Sequence, residues 1–177
     1  MNAQHDRSRP LLIDEAGARS PTALNGARWS AITDAVMGGV SRAVLSVEDV
    51  LGLPALRLRG MVSLENNGGF VQMALDLAQA GHVLDASGYA GIEVKVCGNG
   101  ERYGLHLRTA DLTAPWQSYR HVFPASSAWQ TLRLPFAAFV PHRCNAPLAL
   151  ARLRRVGLVA IGRAYEADLA LNRIALY

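Results

Sequence analysis

Hydrophobic residues recur at every second position along most of this chain, the period of half-buried β-strands rather than of helices. Leu56, Leu58, Val62 and Leu64 share one face, and Arg57, Arg59 and Ser63 share the other. After the turn residues Glu65-Asn66-Asn67-Gly68-Gly69, Val71, Met73, Leu75 and Leu77 alternate with Phe70, Gln72, Ala74 and Asp76. The two runs predict a hairpin, or consecutive antiparallel strands with a functional loop between them. Ile92, Val94 and Val96 form the next strand pattern, and Gly98-Asn99-Gly100 predicts a hairpin turn into Tyr103, Leu105 and Leu107. Tyr119, His121 and Phe123 alternate with Arg120 and Val122, and another strand runs from Trp129 through Leu134 to Pro135. Val156 to Ile161 is continuously apolar, which suits a central strand covered on both faces. Leu169, Leu171, Ile174 and Leu176 close the chain as a final strand.

Seven to ten short strands separated by turn residues predict an all-β fold, a jelly-roll β-sandwich. Helical signal is confined to Leu148–Arg155, one or two turns leading into the Val156 strand. No internal repeat or linker divides the chain. The reading is one domain over residues 25–177, preceded by a loosely ordered arm or strap over 1–24.

Composition narrows the function classes. Half of the 177 residues are hydrophobic and 18% are charged, so the chain can bury a core and is not disordered. The net charge of +4 rests on arginine, Lys95 being the single lysine, and the densest basic run, Arg152-Leu153-Arg154-Arg155, reads as a solvated strand entry. No nucleic-acid footprint follows from it. No apolar stretch reaches membrane-span length and no targeting segment opens the chain, so the expected location is cytoplasmic. Cys97 and Cys144 lack the neighbours that a zinc site needs, and are read as reduced thiols, with a disulfide as the alternative in an exported protein.

Candidate catalytic chemistry is sparse. Gly98-Asn99-Gly100 follows a strand, but a pyrophosphate site needs a helix directly after the glycines, and Tyr103–Thr109 alternates as a strand. No nucleophile elbow, His-Glu-x-x-His motif or phosphate loop is present. His106 and His121 could share a polar sheet face, yet neither has a carboxylate at ligand spacing. An enzyme would require one of them to meet Glu65 or Asp34 in a cleft. The expectation is therefore a domain with no catalytic residues, no cofactor and no metal.

Two loops carry denser information. Trp29 is followed by Asp34-Ala35-Val36-Met37-Gly38-Gly39-Val40-Ser41, and the second loop is Glu65-Asn66-Asn67-Gly68-Gly69-Phe70. Further along stand Tyr103-Gly104-Leu105-His106-Leu107-Arg108-Thr109, Trp116, Tyr119-Arg120, Trp129 and Leu134-Pro135-Phe136-Ala137-Ala138-Phe139. In this combination and order the sequence resembles the complex I intermediate-associated protein 30 family, over about Trp29 to Tyr177. The resemblance implies a galactose-binding-like jelly roll. It also implies a role like that of the mitochondrial members, which are chaperone-like factors in assembling respiratory complex I. Ala35 replaces a glycine frequent in the motif, and no mitochondrial presequence is visible, so a bacterial member is expected.

Within that pattern Trp29, Phe70, Trp129, Phe136 and Phe139 read as packing residues. Asp34, Ser41, Glu65, Asn66 and Asn67 can hydrogen-bond loop backbone and so hold the two glycine loops together. A binding surface would draw on Asp34, Met37, Gly38, Gly39, Ser41, Glu65, Asn66, Asn67, Gly68 and Gly69, with Arg108, Trp116, Tyr119 and Arg120 on the same rim or sheet face. The alternative for these residues is a purely structural network. A protein partner, such as a respiratory-complex subunit or assembly intermediate, is the leading expectation. A carbohydrate or small ligand is the second, by analogy with fold relatives.

Overall fold

The alternating pattern resolves into two antiparallel sheets packed face to face in a computed structural model, which describes residues 9–16 and 19–177. Among the described residues twelve strands run in chain order as β1 (Leu11–Glu15), β2 (Ser30–Thr33), β3 (Arg42–Val50), β4 (Leu53–Val62), β5 (Phe70–Asp76) and β6 (Gly91–Gly98). They continue as β7 (Arg102–Thr109), β8 (Ser118–Pro124), β9 (Gln130–Pro135), β10 (Val140–His142), β11 (Leu153–Ile161) and β12 (Tyr165–Leu176). The first sheet has the order β3-β4-β12-β6-β9, with β1 also on β12; the second has β10-β8-β7-β11-β5-β2. Among the described residues helical structure is limited to short 3-10 turns, including Leu150–Arg152 where the sequence suggested a turn before β11.

The inward faces are the apolar faces of the sequence pattern. Leu56, Leu58, Val94, Val96, Leu169 and Ile174 come from the first sheet. They meet Val71, Met73, Leu75, Leu105, Leu107, Val156 and Leu158 from the second in one core. Burying each such side chain contributes about 1.5–3 kcal/mol. β11 sits between β7 and β5 and is covered on both faces, as its unbroken apolar run requires. In β12 the inward positions slip from odd to even numbers. A register shift between Leu171 and Arg173 against β6 absorbs the extra residue, and Asn172 there donates its amide to the Pro54 carbonyl at 2.9 Å.

Two connections read as hairpins are corners between sheets. β4 lies in the first sheet and β5 in the second, so the Glu65–Gly69 loop crosses an end of the sandwich. β6 and β7 are divided in the same way, and the Gly98–Gly100 turn carries the chain across. Period two gives a strand its faces but does not say which partner it takes, and both crossings follow from that. The tight hairpin is β3–β4, closed by Leu51-Gly52.

Part of the expected arm falls in residues 1–8, 17 and 18, outside the described residues. Of the rest, Leu11–Glu15 pairs with the C-terminal half of β12, beyond the reach of β4. Asp14 on this strand accepts the indole N–H of buried Trp29 at 2.7 Å. Trp29, Phe136 and Phe139 are buried, and Trp129 is half-buried with its indole N–H on the Val50 carbonyl at 2.9 Å. Cys97 and Cys144 are both free thiols. Among the described residues, no helix is long and apolar enough to cross a membrane.

Candidate functional site

The two glycine loops meet at one end of the sandwich, and a single buried carboxylate holds them. After β2, Thr33 caps a 3-10 turn over Asp34–Met37, its hydroxyl accepting the Ala35 N–H at 3.2 Å. The turn aims Asp34 inward, where it is fully buried. Its carboxylate accepts the Ser41 N–H at 2.9 Å, the Ser41 hydroxyl, the Gly69 N–H at 2.5 Å and the Phe70 N–H at 3.3 Å. Burial raises the Asp34 pKa, but the Ser41 hydroxyl and these backbone donors outweigh it, and the net shift is downward. Ser41 extends the clasp, its hydroxyl oxygen accepting the Ser63 N–H at 2.9 Å.

Each glycine pair divides its labour. Gly38 and Gly69 have φ of 86° and 135°, which side chains rarely tolerate. Gly39 and Gly68 instead make room, since a Cβ on either would strike the Asp34 carboxylate. Asn66 and Asn67 both stand in the left-handed region at φ 56°, where asparagine is the best tolerated ordinary residue. Asn66 also donates its amide to the Gly38 carbonyl at 3.3 Å, tying one loop to the other.

Asp34 and Ser41 of these motifs thus face inward, while several apolar side chains face outward. Val36 is 74% exposed and Met37 61% exposed, and Val40 and Leu64 also stand in solvent. Leu64 leaves the buried face assigned to it because β4 ends at Val62. Glu65 is exposed as well.

Arg108, Trp116, Tyr119 and Arg120 are elsewhere. Phe70 opposes Ile161 at the glycine-loop end of the second sheet, whereas Arg155 opposes both Asp76 and Arg108 near its far end. The six intervening steps of β5 separate the two groups by roughly 20 Å. Arg108 donates to the carbonyls of Ala114, Pro115 and Gln117 at 2.8–2.9 Å and so shapes the β7–β8 loop. Trp116 is exposed on that loop. Tyr119 is buried, its hydroxyl on the carbonyls of Ala146 and Pro147. Arg120 points away from the core. A single rim formed by all the candidate residues does not exist: pattern reading located strand faces but not the ends to which the loops go.

The outward face of the second sheet holds His106, weighed in the sequence only beside His121, and Gln72, read there only as an alternating polar position. His106 lies directly across from Arg120 on β8 and from Gly157 on β11, and Gln72 of β5 lies across from Val159. The His106 ring leans over Gly104 and the Gln72 carboxamide over Gly157, at 2.7 and 2.6 Å from where a Cβ would stand. Val159 faces outward between them yet is only 2% exposed, so these side chains leave little of it to solvent. Burial, reinforced by Arg120 and His142, pushes the His106 pKa down to about 3.

His121 points to the opposite side of the same sheet. It lies across from buried Leu105 and stacks on Phe139 at 5.4 Å. The two histidines, which could have shared a sheet face, therefore do not, because 106 and 121 fall on opposite phases of paired strands. Neither histidine touches Asp34, whose carboxylate is occupied by the clasp. Among the described residues no three His, Cys, Asp or Glu side chains gather as a metal site.

No curated protein sequence matches the chain. Solved structures of similar fold include the family 11 carbohydrate-binding module of a cellulosomal cellulase of Clostridium thermocellum. It has 12% identity and a TM-score of 0.70, over 95% of this chain and 94% of that one. The same type of module from that organism, in complex with a β-1,3-1,4-mixed-linked tetrasaccharide, has 13% identity and a TM-score of 0.65, over 87% and 89%. A family 30 carbohydrate-binding module of another cellulosomal cellulase from C. thermocellum has 15% identity and a TM-score of 0.59, over 96% and 92%. At these identities the likeness establishes the galactose-binding-like jelly-roll sandwich and nothing further. The model of the complex I intermediate-associated protein 30 family matches residues 19–172, which include both glycine loops, and the chain belongs to that family.

Proposed function

We propose that this chain is a non-catalytic, cytoplasmic binding domain that acts as a chaperone-like module on subunits or assembly intermediates of respiratory complex I, NADH:ubiquinone oxidoreductase. The observation that carries the reading is the Asp34 clasp, which uses the family motif to hold Val36 and Met37 in solvent on a pinned turn. Exposed apolar side chains on a pre-ordered loop lose little conformational entropy on docking, which favours a protein partner. Family membership supplies the partner class.

The tip is the docking element in this reading, and Arg108 and Tyr119 are structural residues of the far loop. The test is purification of the tagged protein from its own cells, with quantification of complex I subunits. Their enrichment supports the assembly role, and their absence under conditions where complex I is being built removes it.

A second reading, a carbohydrate-binding module, draws on the fold neighbours. Binding of a mixed-linkage β-glucan tetrasaccharide by the purified domain, with no recovery of complex I subunits, would replace the first reading with the second.

A further inference from the structure

β3 is an open edge of the first sheet, and the docking reading does not use it. Among the described residues its hydrogen-bonded neighbour is β4 alone, and all nine of its residues pair there without a register shift. The other edge strands are short, shifted in register or closed by proline. β1 has five residues and a register shift, β2 has four residues, β10 has three with Pro141 among them, and β9 ends on Pro135. A long, regular edge without proline is a template for a further strand. The β3–β4 turn is Leu51-Gly52, with φ of 48° and 83°. Such a two-residue turn closes on a hydrogen-bonded pair, here Val50 and Leu53, so bonding to β4 falls on the even-numbered residues of β3. Ala43, Leu45 and Val47 turn their N–H and C=O groups to the open side, where no backbone of the described residues meets them.

The strand is also complementary to itself. Ala43, Leu45 and Val47 are half-buried against the core, whereas Arg42, Val44, Ser46 and Glu48 lie on the outward face. Antiparallel pairing of β3 with a copy of itself, Leu45 on the two-fold axis, sets Ala43 opposite Val47 and Arg42 opposite Glu48, each pair occurring twice. Arg42 is exposed and makes no ion pair or side-chain hydrogen bond among the described residues. Glu48 has capacity to spare: its Oε1 accepts the Ser46 hydroxyl and Arg59, while Oε2 has Arg57 at 3.8 Å. Shifting the copy by two residues keeps the backbone groups in phase but puts Arg42 opposite Ser46 or Val50, so the charges select one register. Asp49, held by Arg19 at 3.0 Å, lies outside the paired segment.

We infer that a second copy of this chain docks on β3, strand against strand, in a symmetric dimer that joins the two first sheets into one. The pairs centred on Ala43, Leu45 and Val47 supply about six backbone hydrogen bonds, two from each. The half-open row of those side chains gains cover from its counterpart. Arg42 and Glu48 fix the register and exclude other strands more than they add affinity, as exposed ion pairs do. Each glycine-loop tip precedes its own β3, so the two tips stand at opposite ends of the interface.

The test is sedimentation velocity of the full chain from about 1 to 300 μM, with amide hydrogen exchange followed by NMR at both ends of that range. A monomer–dimer equilibrium within the range is the expected result. The Ala43, Leu45 and Val47 amides then exchange more slowly at the higher concentration, whereas those of Val44 and Ser46, bonded to β4, are slow at both. Arg42→Glu changes an exposed, unpaired side chain and is expected to leave the fold intact while weakening the dimer at least tenfold. Glu48→Arg weakens it similarly. An equimolar mixture of the two variants restores association to within about threefold of the wild type, because each altered charge then faces its opposite. A monomer throughout the range overturns the proposal. So does a dimer that leaves Ala43, Leu45 and Val47 unprotected, a dimer unaffected by Arg42→Glu, or no recovery in the mixture of the folded variants.

Discussion

The carboxylate of Asp34 accepts the backbone N–H of Gly69, thirty-five residues downstream, and through that bond joins two loops that leave different sheets. The remaining bonds to Ser41 and Phe70 saturate the same group, so one side chain serves four donors. Removing it leaves the Ser41, Gly69 and Phe70 N–H groups without that acceptor, at about 1–3 kcal/mol for each that water cannot reach. Asp34→Ala is expected to lower stability by about 3 kcal/mol or more in urea unfolding, and Asp34→Asn by less, since its amide oxygen still accepts.

The clasp also has a pH signature. Its folded pKa lies below the ordinary carboxylate value of about 3.9, so its contribution is complete above that value. It is lost as pH falls through the folded pKa. The acid limb of a stability profile is therefore expected to be shallower in Asp34→Asn than in the wild type below about pH 4.

The glycine pairs separate two kinds of damage. Gly38→Ala meets open space and costs only the positive φ, about 1–2 kcal/mol. Gly39→Ala and Gly68→Ala drive a methyl into the Asp34 carboxylate and are expected to cost more, with loss of slow hydrogen exchange at Gly69 and Ser41. Comparison of the three by chemical denaturation checks the order.

His106 is expected to remain neutral down to about pH 4. Its folded pKa of about 3 is below the unfolded value of about 6.5, so the unfolded chain binds the extra proton first. This histidine makes the protein less stable as pH falls from 6.5 towards 3 and has no effect above that window. An NMR titration of the ring protons checks it, with a midpoint near 6.5 as the contrary result.

Cys97 is buried on the first sheet, and burial, against an opposing effect of Arg57, pushes its thiol pKa up. In the native protein Cys97 is expected to react with a thiol reagent far more slowly than half-buried Cys144, and both are expected to react once the chain is unfolded. Peptide mapping after timed labelling distinguishes the two.

Strand faces were legible in the sequence because period two depends only on local geometry. Met73, Leu105 and Leu158 are where alternation and continuous apolarity put them. Sheet membership was not, because β4 and β5 look alike as hairpin arms whether their loop turns back or crosses over. The glycine loops were recognised as a unit from their motif, and the reason for the motif, Asp34 beneath both, needed the tertiary contact. His106 was considered only beside His121, and Gln72 only as a polar position of an alternating strand, because an outward strand position carries no sign of what stands beside it.

The most direct measurement compares tagged wild-type protein with the Val36→Asp/Met37→Asp variant for recovery of complex I subunits from cells assembling the complex. Both side chains are exposed, so the variant is expected to keep the wild-type unfolding midpoint within a few degrees. The account predicts strong enrichment of those subunits with the wild type and at least a tenfold loss with the variant. Equal recovery by the two proteins, or none by the folded wild type, would contradict it.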